Sequence, residues 1–116
     1  MIVKILGSSV IGIEAYLIEV EVYTAPGLPQ FSTVGLPDVA VRESRERIKA
    51  AVKSSGYPFP RHHVTVNLAP ADIRKEGTGF DLPMAAGILA AEGVVRPELL
   101  GEYVLLGELS LDGRIK

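Results

Sequence analysis

The chain has 116 residues, 47% of them hydrophobic, with no cysteine and with 12 basic against 14 acidic residues for a formal charge of −2. That is the size of one domain with enough apolar side chains for a single core, and the missing cysteine excludes a disulfide framework, a thiolate nucleophile and any Cys-based zinc or iron-sulfur site, as suits a reducing cytoplasm. The charge balance argues against a generally basic nucleic-acid binder and leaves room only for a local patch.

The start, MIVKILGSSVIGIEAYLIEV, has no basic region followed by an apolar run and no small-residue cleavage site, and Glu14 and Glu19 interrupt any spanning segment. It predicts neither export nor membrane insertion. From Ile2 to Thr24 the chain is rich in Val, Ile and Tyr, broken by Gly12, which predicts a long strand pair with one mostly buried side carrying Tyr16, Ile18, Val20 and Val22. The loop from Ala25 to Gln30 leads into a third strand, Phe31 to Val34.

Pro37-Asp38 suits a helix start, since proline's fixed φ and missing N–H cost nothing in a first turn. Val41, Ile48, Ala51 and Val52 then recur at helical spacing, and Arg42, Glu43, Arg45, Glu46, Arg47 and Lys49 cover the other side with pairs such as Glu43 with Arg47. Gly56 is the expected stop. His63 to Leu68 reads as a strand and Ala71 to Gly79 as a polar loop. Asp81 is expected to cap a second helix, with Pro83 in its first turn and an apolar face of Leu82, Ala85, Ala86, Leu89 and Ala90. Pro97 to Leu100 predicts a short helical turn, and Tyr103 to Leu109 a buried strand running into the Asp112-Gly113 turn. Only three residues follow that turn, too few for a useful returning strand, so the natural polypeptide is expected to continue.

Few residues offer chemistry. His62 and His63 point to opposite faces of a strand and lack a third ligand. Asp72, Glu76 and Asp81 are near enough in sequence to be weighed as a magnesium site, although acidic loops commonly look this way. Lys75-Glu76-Gly77-Thr78-Gly79 opens onto a helix, but it has no Walker A spacing, and Asp81 puts a negative charge where a phosphate would sit. No serine lies in a nucleophile elbow. Arg42 and Arg45 form rows on one helix side, and Arg74 and Lys75 are loop cations that no apolar alternation explains; each set is a candidate contact for DNA or protein, against the plain reading of solvated charge.

The runs GIEAYLIEVEV, VGLPDVAVRESRERI, NLAPADIRKEGTGFDLP and GELSLDGRI together resemble the amino-terminal domain of the magnesium-chelatase-like AAA+ ATPases of the ComM (YifB) group, over essentially the whole chain. The resemblance implies a cytoplasmic bacterial protein several times longer, with an ATPase module after residue 116, ATP and magnesium bound there, a homo-oligomeric ring, expected to be a hexamer, and DNA branch migration in natural transformation. It also implies that residues 1–116 form a single α/β domain similar to the Lon proteolytic domain and to ribosomal protein domain 2, with a mixed sheet backed by two main helices. In Lon proteases the corresponding loop carries a serine nucleophile; here that position is Gly79, with Thr78 the nearest hydroxyl. The dyad lysine falls beyond Lys116. The resemblance therefore implies no catalytic residue, cofactor or metal in residues 1–116. Three readings stay open: a non-catalytic interaction or scaffold domain, a Lon-like peptidase using Thr78, and a DNA-binding module in its own right.

Overall fold

The computed structural model describes residues 1–116. A hairpin opens the chain, with β1 (Ile2–Ile11) and β2 (Glu14–Ala25) joined by Gly12 and Ile13. Gly12 takes φ 63°, the positive value that a two-residue hairpin turn needs at its first central position. β3 (Gln30–Val34), α1 (Val39–Ser54), β4 (His63–Ala69), α2 (Asp81–Ala91) and the single turn α3 (Pro97–Leu100) follow. The sheet order is β1-β2-β4-β3. β1, β2 and β4 pair antiparallel, whereas β3 runs parallel to β4 across the α1 crossover, so the sheet is mixed and β3 is an edge strand.

Alternation decides which face is covered. Val3 and Ile5 of β1, Ile18, Val20 and Val22 of β2, and Val64, Val66 and Leu68 of β4 are all buried. Their registers (Ile5 with Val20, Val20 with Leu68, Val22 with Val66) put them on one face, against Val41, Ile48, Met84 and Ile88 of the helices. The opposite face is polar at Lys4, Glu19 and Glu21, and Lys4 lies 3.9 Å and 3.8 Å from the two carboxylates. No helix is long and apolar enough to cross a membrane.

Several expectations need correction. Pro37 lies outside α1; Asp38 is its N-cap, and its Oδ1 accepts from Val41 N at 2.8 Å. The predicted stop is observed, since Gly56 has φ 83° just past the cap residue Ser55. α2 buries a different face from the predicted one: Ala85 and Ala90 are buried, whereas Leu82, Ala86 and Leu89 are only partly so. Met84, Gly87 and Ile88 are also buried, and a Cβ on Gly87 would stand 2.5 Å from both Ile5 Cδ1 and Val22 Cγ2. That close approach turns Leu82, Ala86 and Leu89 toward a half-open apolar groove of about 290 Å³ beside α1. Tyr103 to Leu109 is not a buried strand: Tyr103, Val104 and Leu106 are exposed, and the segment makes one bridge to the sheet, Val104 with Leu6 at the β1 edge. The Asp112-Gly113 turn does form, with Gly113 at φ 94° and an antiparallel bridge from Leu109 to Ile115.

Candidate functional site

The two longest sequence motifs meet in space. The turn from β3 into α1 contains Gly35 at φ 106° and Leu36 at φ 57°. Lys75 N donates to the Leu36 carbonyl and Asp38 N donates to the Lys75 carbonyl, both at 3.0 Å. Asp38 Oδ2 also accepts from Gly77 N at 3.3 Å. One carboxylate thus caps α1 and holds the loop that follows β4, which fixes the Lys75 to Gly79 loop against the helix start.

This clasp overturns the expectation for Lys75. Its backbone forms a strand-like bridge with Pro37, which turns the side chain inward, so Lys75 is fully buried and Nζ donates to the Pro70 carbonyl. It offers no surface to DNA or to a neighbouring subunit. Arg74 stays exposed, with its Nε 3.5 Å from Glu76. Burial lowers the Lys75 pKa from the ordinary lysine range, and the nearby Asp72 offsets this in part. A folded-state pKa below the unfolded one means the charge costs stability at neutral pH, and stability rises with pH between the folded and unfolded values. Lys75→Met is therefore expected to leave neutral-pH stability unchanged or about 1 kcal/mol higher and to abolish the alkaline rise. Urea unfolding across pH checks this; a loss of about 2 kcal/mol or more at neutral pH contradicts it.

Gly79, the position that the resemblance aligns with a nucleophile, carries no side chain and lies beside the exposed side chain of Leu106. A Cβ on Gly79 would lie 2.6 Å from Leu106 Cδ1. Thr78 is half-buried and its hydroxyl has no hydrogen-bond partner among the titratable side chains. Asp72, Glu76 and Asp81 do not converge, and no three acidic or histidine side chains group at metal-binding distance. His62 and His63 are half-buried at the start of β4.

Sequence reasoning missed the main polar structure of the core. Asp81 is fully buried and is not a helix cap; Phe80 holds that position and no side chain caps α2. Asp81 accepts from Ser44 Oγ at 2.6 Å, from Arg47 Nε at 2.6 Å and a terminal Arg47 nitrogen at 3.0 Å, and from Leu109 N at 3.0 Å. Arg47 therefore does not pair with Glu43 as expected. It lies across the start of α2, also donates to the Ala40 carbonyl at 2.8 Å, and its pKa is raised by the hydrogen bond to Asp81. A signal existed: Ser44 and Arg47 sit three residues apart, and Ser44 falls on the apolar stripe between Val41 and Ile48, where a lone hydroxyl needs a partner.

The other α1 cations stay outside. Arg42, Arg45, Lys49 and Lys53 are exposed, and Arg45 Nε is 3.6 Å from the exposed Glu46.

A mixed sheet covered on one face by two helices, with a buried Asp-Ser-Arg tie between them and a loop clasped to the first helix, defines a packed α/β domain. The chain matches the family described as subunit ChlI of Mg-chelatase over residues 20–116, and it belongs to that family. It is 45% identical over 106 residues to the uncharacterized protein YifB of Escherichia coli, covering 91% of this chain and 21% of the relative. It is 41% identical over 105 residues to the competence protein ComM of Haemophilus influenzae, covering 90% of this chain and 21% of the relative. The chain thus spans about a fifth of the length of these relatives.

Proposed function

We propose that this chain is a non-catalytic interaction domain of a larger bacterial magnesium-chelatase-like AAA+ ATPase that acts on DNA. In the intact protein, ATP and magnesium bind outside residues 1–116, the subunits form a homo-oligomeric ring, and turnover drives branch migration of DNA taken up in transformation. The family match and the likeness to a competence protein support the ATPase and DNA parts of this reading.

The observation that carries the non-catalytic part is that the position aligned with the nucleophile is Gly79. A nucleophile needs an attacking oxygen with a base within hydrogen-bond reach, and here the position holds no side chain and lies beside Leu106. The peptidase reading would have to run through Thr78, one position off the nucleophile's place, and no residue of 1–116 is placed as its base. No glycine-rich loop ending in Lys-Ser or Lys-Thr is present to cradle a triphosphate. ATP turnover by the intact protein, with and without DNA, tests the reading.

A further inference from the structure

We infer that the trough between the β3 edge and α1 is a binding site for single-stranded nucleic acid. The inference deepens the proposed DNA-directed role and rests on it for the partner's biological source, while the surface itself is argued from its own chemistry. Two adjoining hollows of about 400 Å³ each and a third of about 230 Å³ share lining residues and form one continuous depression. Its charged lining comprises Arg42, Arg45, Lys49, Lys53 and Arg61 against a single carboxylate, Glu46. In a chain of net charge −2 this is a strong local concentration of positive charge.

The cations are also ordered. Arg42, Arg45, Lys49 and Lys53 follow one another at intervals of three, four and four residues, so they make one stripe along α1 roughly 16 Å long, with successive charges rising about 4.5 to 6 Å. That repeat is on the scale of the step between phosphates of an extended strand. Phe31 of β3 and Phe59 both line the depression, with nearly parallel rings (13°) whose centroids lie 6.2 Å apart. A groove of cations that follows a backbone, combined with half-buried aromatic rings in its lining, is the arrangement that holds unpaired bases. A duplex keeps its base faces stacked inside, a lipid surface does not enter a concave trough, and an acidic peptide has no use for the paired rings.

The test is fluorescence anisotropy of labelled oligothymidylate with the intact protein over a salt series. Arg45→Glu with Lys49→Glu changes two exposed side chains, and the thermal midpoint verifies that the variant is folded. Affinity is expected to fall at least about tenfold, with the salt slope reduced by about two contacts. Phe31→Leu is expected to weaken binding about fivefold or more with the slope unchanged. Arg96→Glu with Arg114→Glu, outside the trough, changes net charge equally and is expected to leave affinity within about twofold of the parent protein. Equal loss from both reversals, or none from the trough reversal, overturns the site and leaves the DNA-directed role standing. Competition by poly-glutamate or anionic phosphatidylserine vesicles as effective as that by unlabelled oligothymidylate overturns the choice of partner. Failure of the intact protein to bind any single or double strand overturns both the site and the DNA-directed role.

Discussion

Asp81→Ala is expected to destabilise the protein by about 3–5 kcal/mol. A lost helix cap costs about 1 kcal/mol, but Asp81 is not a cap. It is fully buried and satisfies Ser44, Arg47 and the Leu109 amide together, joining α1, the start of α2 and the segment leading to the last turn. Alanine leaves a guanidinium held beside Ala40 without its counter-charge, and a buried hydroxyl and amide without their acceptor. Asp81→Asn keeps acceptor capacity and removes the charge, so its loss is expected to be smaller. A double-mutant cycle between Asp81 and Arg47 is expected to return a coupling of about 1–3 kcal/mol. Urea unfolding reads all of these, and a loss near 1 kcal/mol for Asp81→Ala, with no coupling to Arg47, contradicts the role of this network.

Gly35→Ala is expected to cost roughly 2–5 kcal/mol, from a left-handed backbone together with a collision. Gly35 takes φ 106°, and a Cβ there would run into the backbone carbonyl of Leu68 on the adjacent β4. A carbonyl fixed in a central strand cannot give way as the end of a side chain can. Any shift would pull Leu36 and Asp38 away from Lys75 and loosen the clasp. The midpoint of thermal unfolding checks this. Gly12→Ala, at a turn with φ 63° and open space around it, should lose less than Gly35→Ala, because only backbone strain acts there. Equal losses at the two positions would mean that the Leu68 contact contributes nothing.

The contrast between these sites shows what the sequence made legible. The β1-β2 hairpin, α1 with its buried Val41, Ile48, Ala51 and Val52, and β4 were readable because each carries one regular period and a glycine or proline boundary. Asp81 and Lys75 were not, because a charged residue two positions from a glycine has the same local signature whether it is solvated or buried. What decides is a partner distant in sequence: Ser44 lies 37 residues before Asp81, and the Leu36 carbonyl is supplied by another loop. Tyr103 to Leu109 failed for the opposite reason. Its apolar run fits a buried strand, but it borders the sheet through a single bridge. Arg42 and Arg45 were visible as candidates, whereas Phe31, Phe59 and Arg61 come beside them only through the parallel β3-α1-β4 crossover.

The central claim, that residues 1–116 act by binding and not by catalysis, is tested most directly by ATP turnover of the intact protein with and without single-stranded DNA. Turnover is expected to rise with DNA. Thr78→Ala is expected to keep that response, because Thr78 lies one position off the nucleophile's place and no residue of 1–116 is placed to activate its hydroxyl. Arg45→Glu with Lys49→Glu is expected to require about tenfold more DNA for half-maximal stimulation. Loss of activity in Thr78→Ala, with an unchanged DNA response in the charge-reversal variant, would contradict the account.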